Sequence, residues 1–342
     1  MIINTMGQYS RFFYLIIIFL LTPEISYSEN TRKISEILKR STVYISIVDQ
    51  ESNEYGMGSG VVINKVKNKF FILTNSHVTT FHEKRGRSLE QIDFREAGYD
   101  IWIWPHDSNC YPERCMGWTI TDQIYWDSNE GSDYAIIMID FDLILGEEIE
   151  TVDYETNEIT YEKVLKKDIP NLIPIKIGNI NVMKELDTIY SAGYPLIVGN
   201  DVEHYKDIFI TKGEINAFIT SDEGIETLGN YSIVYRLGVK GGMSGGPVVN
   251  KKGELIAING LTEMAYTIQQ TLHPRTKVYD EQIIPEASKY DFGISIDDII
   301  YSSMIDTEFN LNRNSDFYNY LPKKTIPAET FKLLKKEINS NR

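Results

Sequence analysis

Cysteine is nearly absent, with two thiols in 342 residues. That excludes a disulfide-framed scaffold, in which several bridges substitute for a core. Both thiols, Cys110 and Cys115, lie in Asn-Cys-Tyr-Pro-Glu-Arg-Cys, where Pro112 helps to turn the chain. One small disulfide loop is expected there, with free thiols as the alternative. No histidine neighbours the pair, and structural zinc needs four ligands, so neither a metal nor any cofactor is expected. Basic residues are scarce as well, at 34 Lys and Arg against 49 acids, for a formal charge of −15. Phosphate backbones are bound by clustered cations, so nucleic acid is excluded as a partner. Long apolar runs are missing beyond the first thirty residues. There Arg11 precedes the run Phe12 to Leu21, and the small residues Ser26 and Ser28 stand before Glu29. This is the pattern of a signal peptide over residues 1–28, because the run falls well short of the ~20 residues a bilayer crossing needs. A mature chain that is secreted or periplasmic, without stable membrane insertion, is expected. The alternative is an uncleaved anchor.

Hydrophobic residues make up 42% of the chain and aromatics 12%, enough to build a full core in one large unit or two smaller ones. Helical periods are few. Ser35 to Arg40 can finish a short helix, and short apolar or alternating runs then follow one another. Strands are predicted at Val43 to Val48, Gly60 to Asn64, Lys69 to Thr74, Ile101 to Trp104, Tyr134 to Phe141 and Asp187 to Ser191. Further strands are predicted at Ile208 to Ile210, Ile233 to Leu237, Pro247 to Asn250, Leu255 to Asn259 and Phe292 to Ile296. This is an all-β chain of sandwich or barrel type, long enough for two units. Two prolines in Lys166 to Pro174 mark the join between them. The acids of Glu147 to Glu162 alternate with apolar or β-favouring residues and read as an exposed hairpin, with calcium binding as an outside alternative. Near the end, Pro327 to Ile338 has helical spacing, with Thr325 as its cap.

One stretch stands out chemically. In Lys240-Gly-Gly-Met-Ser-Gly-Gly-Pro-Val-Val-Asn250 a serine sits among four glycines just before an apolar strand. Glycines let the backbone turn so that the N–H groups of Gly242 and Ser244 converge on one point, as an oxyanion requires. A serine hydroxyl also needs a base. Of His77, His82, His106, His204 and His273, only His77 follows a buried-type strand, Phe70-Phe-Ile-Leu-Thr74. The base in turn needs an orienting carboxylate, and Asp133 opens the apolar strand running to Ile139. The order His77, Asp133, Ser244 is that of chymotrypsin, not of subtilisin or the α/β hydrolases. Gly242-Met-Ser-Gly-Gly246 also fits Gly-x-Ser-x-Gly, but a nucleophile elbow leads into a helix and Pro247-Val-Val opens a strand.

These motifs together resemble the trypsin-like serine peptidases, in particular their HtrA-like branch. Gly58-Ser-Gly-Val-Val-Ile63, Leu73-Thr-Asn-Ser-His-Val78 and Ser132-Asp-Tyr-Ala-Ile-Ile137 match the first half of that pattern. Ala192-Gly-Tyr-Pro195, Thr211-Lys-Gly-Glu-Ile215, Gly242 to Pro247, Gly253 to Asn259 and Phe292 to Ile296 match the second. The resemblance implies two six-stranded antiparallel β-barrels with short N- and C-terminal helices and a cleft between the barrels. It further implies a serine endopeptidase acting on proteins or peptides through an acyl-enzyme. The first barrel, residues 29–166, would carry His77 and Asp133 and an inserted loop at about 81–127. The second, 167–300, would carry Ser244, and 301–342 would form a tail with a helix. Substrate would pair with a strand edge near Ile258 and Asn259, with Gly238 and Ala257 also lining the binding site. About forty residues follow the last matching strand, too few for a PDZ domain, so none is expected. Met243 departs from the Asn or Asp that relatives often carry. The reading from a different class is a latent or inactive binding protein on the same fold.

Overall fold

The computed structural model describes residues 29–300, except 50–53, 86–87, 107–116, 121, 127–132, 154–157, 197–206, 219–230 and 261–289. The signal-peptide segment, both cysteines and the expected C-terminal helix lie outside these residues.

A helix, α1, covers 29–41 and runs straight into β1 (Thr42–Val48). The remaining strands of the first half are β2 (Glu54–Val66), β3 (Lys69–Thr74), β4 (Thr80–Arg85), β5 (Ser88–Asp93), β6 (Asp100–Pro105), β7 (Trp118–Thr119), β8 (Asp122–Trp126) and β9 (Ala135–Asp140). Seven of them form one sheet in the order β7-β6-β1-β2-β3-β9-β8, and β4 and β5 form a separate hairpin. The expected six-stranded first barrel is therefore a seven-stranded sheet, and among the described residues its two end strands do not pair. The segment about 81–127, expected as an inserted loop, contributes three strands of that sheet: β6 pairs with β1 and β7, and β8 with β9.

The acidic segment forms the predicted hairpin, β10 (Glu148–Asp153) against β11 (Glu158–Lys163). The second half holds β12 (Thr188–Gly193), β13 (Phe209–Phe218), β14 (Ile233–Arg236), β15 (Pro247–Asn250), β16 (Leu255–Asn259) and β17 (Asp291–Ser295). These six close into a barrel in the order β12-β13-β14-β17-β16-β15, as expected.

The near-continuous apolar runs of the central strands have a direct cause. Neighbouring residues of a strand point to opposite faces, and here both faces are covered. Val62, Phe70, Ile72, Ile137 and Ile139 fill the first unit's own core. Their neighbours Val61, Ile63, Phe71, Leu73 and Ile136 turn the other way, into a core shared with Tyr190, Val249, Leu255, Ile258 and Ile294 of the second barrel. Ile34 and Leu38 of α1 are buried in the same shared core, each worth about 1.5–3 kcal/mol of apolar burial. Asn30 Nδ2 donates to the Lys251 carbonyl at 3.1 Å, tying the helix to the β15–β16 turn.

The connection between the halves is stitched to both. Ile173 N–H donates to Arg40 O at 2.9 Å and Ile175 N–H to Val62 O at 2.8 Å, after which Gly178 N–H reaches Leu255 O at 2.7 Å.

Candidate active site

The register of β3 against β9 places Thr74 opposite Ala135. The residues just beyond those strand ends, Asn75 to His77 and Asp133, must therefore meet. Asn75 precedes a single helical turn, α2 (Ser76–Thr79), and its Nδ2 donates to the Asp133 carbonyl at 2.8 Å. The Asp133 carboxylate faces back onto that turn. Its Oδ1 accepts from Ser76 Oγ at 2.9 Å and from His77 N–H at 3.0 Å, and its Oδ2 meets His77 Nδ1 at 2.7 Å. A carboxylate can only accept at Nδ1, so that nitrogen carries the proton and Nε2 is left as the basic nitrogen.

Environment tunes both groups. Burial alone lowers the affinity of His77 for a proton, but the charge and hydrogen bond of Asp133 outweigh it and raise the imidazole above its ordinary value. Burial alone raises the Asp133 carboxyl, but His77 and the donors around it hold it below the usual range. His77 keeps 42% of its side-chain surface accessible and Asp133 only 12%. The base is thus open to a reactant while its partner is shielded.

Ser244 comes from the second barrel, in the turn before β15. Gly242 and Gly245 have φ of +88° and +81°, a region that side chains other than glycine's rarely adopt. A Cβ on Gly245 would also lie 2.2 Å from the Ser59 carbonyl, and one on Gly246 2.1 Å from the Ala192 carbonyl. Gly242, Gly245 and Gly246 are thus required by backbone conformation or by close approach, whereas a Cβ on Gly241 would meet nothing within 4 Å. Among the described residues neither the Gly242 nor the Ser244 N–H donates to a partner. Ser244 Oγ donates to Gly260 O at 3.2 Å, and no hydrogen bond joins it to His77.

The first unit grips this turn through Ser59, a residue legible in the sequence only as part of a strand motif. Its N–H donates to Ser244 O at 2.8 Å, its Oγ donates to Gly242 O at 2.8 Å, and that same Oγ accepts from Tyr194 N–H at 2.8 Å. Tyr231, which no sequence motif marked, lies just before β14, and its hydroxyl donates to Asp133 Oδ2.

The residues expected to bind substrate are placed differently. Ala257, Ile258 and Asn259 are fully buried. Strand β16 pairs with β15 on one side and β17 on the other, so the expected open edge at Ile258 and Asn259 is not there. A strand inside a closed barrel has no free edge. Asn259 is a support: it accepts from Tyr235 Oη at 2.9 Å and donates to Ser191 Oγ at 2.7 Å and to Met243 O, in the turn that carries Ser244, at 3.3 Å. Gly238 is exposed, with φ of +65°. Met243 is fully buried against Gly193, so an apolar contact anchors the turn where the family often has a polar one.

A hydrogen-bonded His77–Asp133 pair thus lies on the first β unit, and Ser244, set among glycines, lies on the second barrel. The family model for the trypsin-like peptidase domain matches residues 58–258, more than half of the chain, and the chain belongs to that family. It is 37% identical over 93 residues to the probable periplasmic serine endoprotease DegP-like of Buchnera aphidicola subsp. Baizongia pistaciae (strain Bp). That match covers 27% of this chain and 18% of the relative, less than a fifth of its length. Among solved structures, Deg5 is similar with a TM-score of 0.48 and 16% identity, over 80% of this chain and 92% of that one. The HtrA-type protease AlgW with tripeptide gives a TM-score of 0.43 and 16% identity, over 80% and 63%.

Proposed function

We infer that the protein is a serine endopeptidase in which Ser244 attacks the peptide carbonyl, His77 takes and returns its proton, and Asp133 orients the imidazole. The observation that carries this reading is the 2.7 Å contact between His77 Nδ1 and Asp133 Oδ2, which leaves Nε2 as the proton acceptor. The N–H groups of Gly242 and Ser244 are assigned to the oxyanion of the tetrahedral intermediate, a role worth about 2.7–4 kcal/mol for each donor. Collapse of that intermediate expels the amine, which takes the proton from His77, and water then releases the acyl group from Ser244. Substrates are proteins or peptides. The leader pattern, together with the periplasmic designation of the DegP-like relative, supports action in the periplasm or outside the cell. We assign the base and its carboxylate to a unit ending near residue 166 and the nucleophile to the unit that follows.

One observation favours the second reading, a latent enzyme. The Ser244 hydroxyl donates to Gly260 O, so that hydrogen bond must be given up before His77 can take the proton. A fluorophosphonate probe separates the two on protein starting at Glu29. Labelling that disappears in Ser244→Ala and His77→Ala supports an assembled triad, with peptide turnover in Ser244→Ala falling by about 10⁶. A folded protein that takes no label is latent, and turnover retained by Ser244→Ala overturns the assignment.

A further inference from the structure

We propose that Tyr231 is a positioning residue for the Asp133–His77 pair, holding the first unit's carboxylate in place from the second barrel. This rests on the roles given above to Asp133 and His77.

The geometry carries it. Tyr231 is 7% exposed, and its hydroxyl donates to Asp133 Oδ2, the same oxygen that meets His77 Nδ1. Asp133 thereby accepts on both oxygens: from Ser76 Oγ and His77 N–H on Oδ1, and from His77 Nδ1 and Tyr231 on Oδ2. Three of these donors belong to α2, within the carboxylate's own unit. The fourth alone reaches it from the unit that carries Ser244.

Gly260 shows how the ring is accommodated. A Cβ at that position would lie 2.0 Å from Cε1 of Tyr231, so any larger residue would displace the ring. The carbonyl of the same Gly260 accepts from Ser244 Oγ at 3.2 Å. The absent side chain of residue 260 is thus the space that lets a tyrosine of the second barrel reach the Asp133 carboxylate. The contacts then run from Ser244 through Gly260 and Tyr231 to Asp133 and His77.

The chemistry that follows is specific. A buried hydroxyl donating to a carboxylate disperses its charge and fixes which oxygen faces the imidazole. Among the described residues, the titratable groups facing this pair are His77, Asp133 and Tyr231, with Tyr235 behind Tyr231. Without the phenol oxygen, the Asp133 charge is compensated less and attracts the imidazolium more strongly. The His77 titration then moves to higher pH, and the imidazole is held less firmly.

The test is Tyr231→Phe, which keeps the ring and removes only the hydroxyl. His77 is titrated by NMR of its imidazole in the parent and the variant, a readout that does not need turnover. Peptide hydrolysis is measured alongside. The expected result is a His77 titration shifted upward, kcat lowered roughly tenfold with KM unchanged, and a melting temperature close to the parent's. Superimposable titrations overturn the proposal, whatever the activity. If the parent's titration responds to Tyr231→Phe but neither protein hydrolyses peptide or takes the probe, the peptidase assignment fails and the positioning contact stands. As a second variant, Gly260→Ala displaces the ring and shifts the titration in the parent but has no further effect on it in Tyr231→Ala. A shift of equal size in both backgrounds also overturns the proposal.

Discussion

Ser59 carries as much of the site's geometry as the residues assigned to chemistry. It is fully buried and meets the turn that carries Ser244 with both its backbone and its hydroxyl. Ser59→Ala strands the Gly242 carbonyl and the Tyr194 N–H that share its hydroxyl. An unsatisfied buried polar group costs about 1–3 kcal/mol, so calorimetry should show a lower Tm for Ser59→Ala. Probe labelling should slow as well, because Gly242 is loosened next to Ser244. Unchanged labelling in a destabilised variant would limit Ser59 to a structural role. At this scale the sequence was readable wherever a residue's setting was local. His77 and Asp133 follow and precede buried strands, and Ser244 sits among its own glycines. Tyr231 was illegible because its partner lies 98 positions away and a tyrosine at a strand mouth has the look of barrel wall. The pairing of β16 on both sides was equally hidden, since an apolar run does not say how many neighbours it has.

Among the elements, the short apolar strands were legible almost to the residue, whereas β2 and β13 extend well beyond the expected Gly60–Asn64 and Ile208–Ile210. Lys69–Thr74, Pro247–Asn250 and Leu255–Asn259 appear with the predicted bounds. The hairpin of β4 and β5 was not anticipated, because Thr-Phe-His-Glu-Lys-Arg and Ser-Leu-Glu-Gln-Ile-Asp are too charged to show a buried face. Its pairing comes from the backbone. The helical residues 296–300, directly after β17, offer a pH-dependent contribution at this scale. Burial, and then the neighbouring charge of Asp298, raise the Asp297 carboxyl to about 6, although a hydrogen bond from Asn181 Nδ2 at 2.7 Å opposes the shift. A carboxyl raised on folding favours the folded state while it is protonated, and that contribution is lost as pH rises through about 6. Asp297→Asn removes the buried charge and leaves an oxygen for Asn181. Thermal melts should therefore show Asp297→Asn stabilised by a few degrees at pH 8 and little changed at pH 4. A gain of equal size at both pH values would mean that ionisation is not the cause.

For the whole molecule, the shared core decides how the halves behave. Strands β2, β3 and β9 give one face to their own core and the other to the second barrel, and α1 closes the same core from outside. The relative placement of the two halves is held by this packing as well as by the connection between them. The number of strands pointed to two units, and a seven-stranded sheet and a closed barrel are what the chain forms. That the interface would be apolar was foreshadowed by the lack of polar alternation in those strands.

The stitching of residues 173–178 to both halves has a consequence for cut protein. A single break near the exposed Lys166 severs the chain but leaves the shared core intact. The two pieces should travel together through a sizing column and part only in denaturant. Once the denaturant is removed they should find each other again and recover probe labelling, each piece serving as the template on which the other folds.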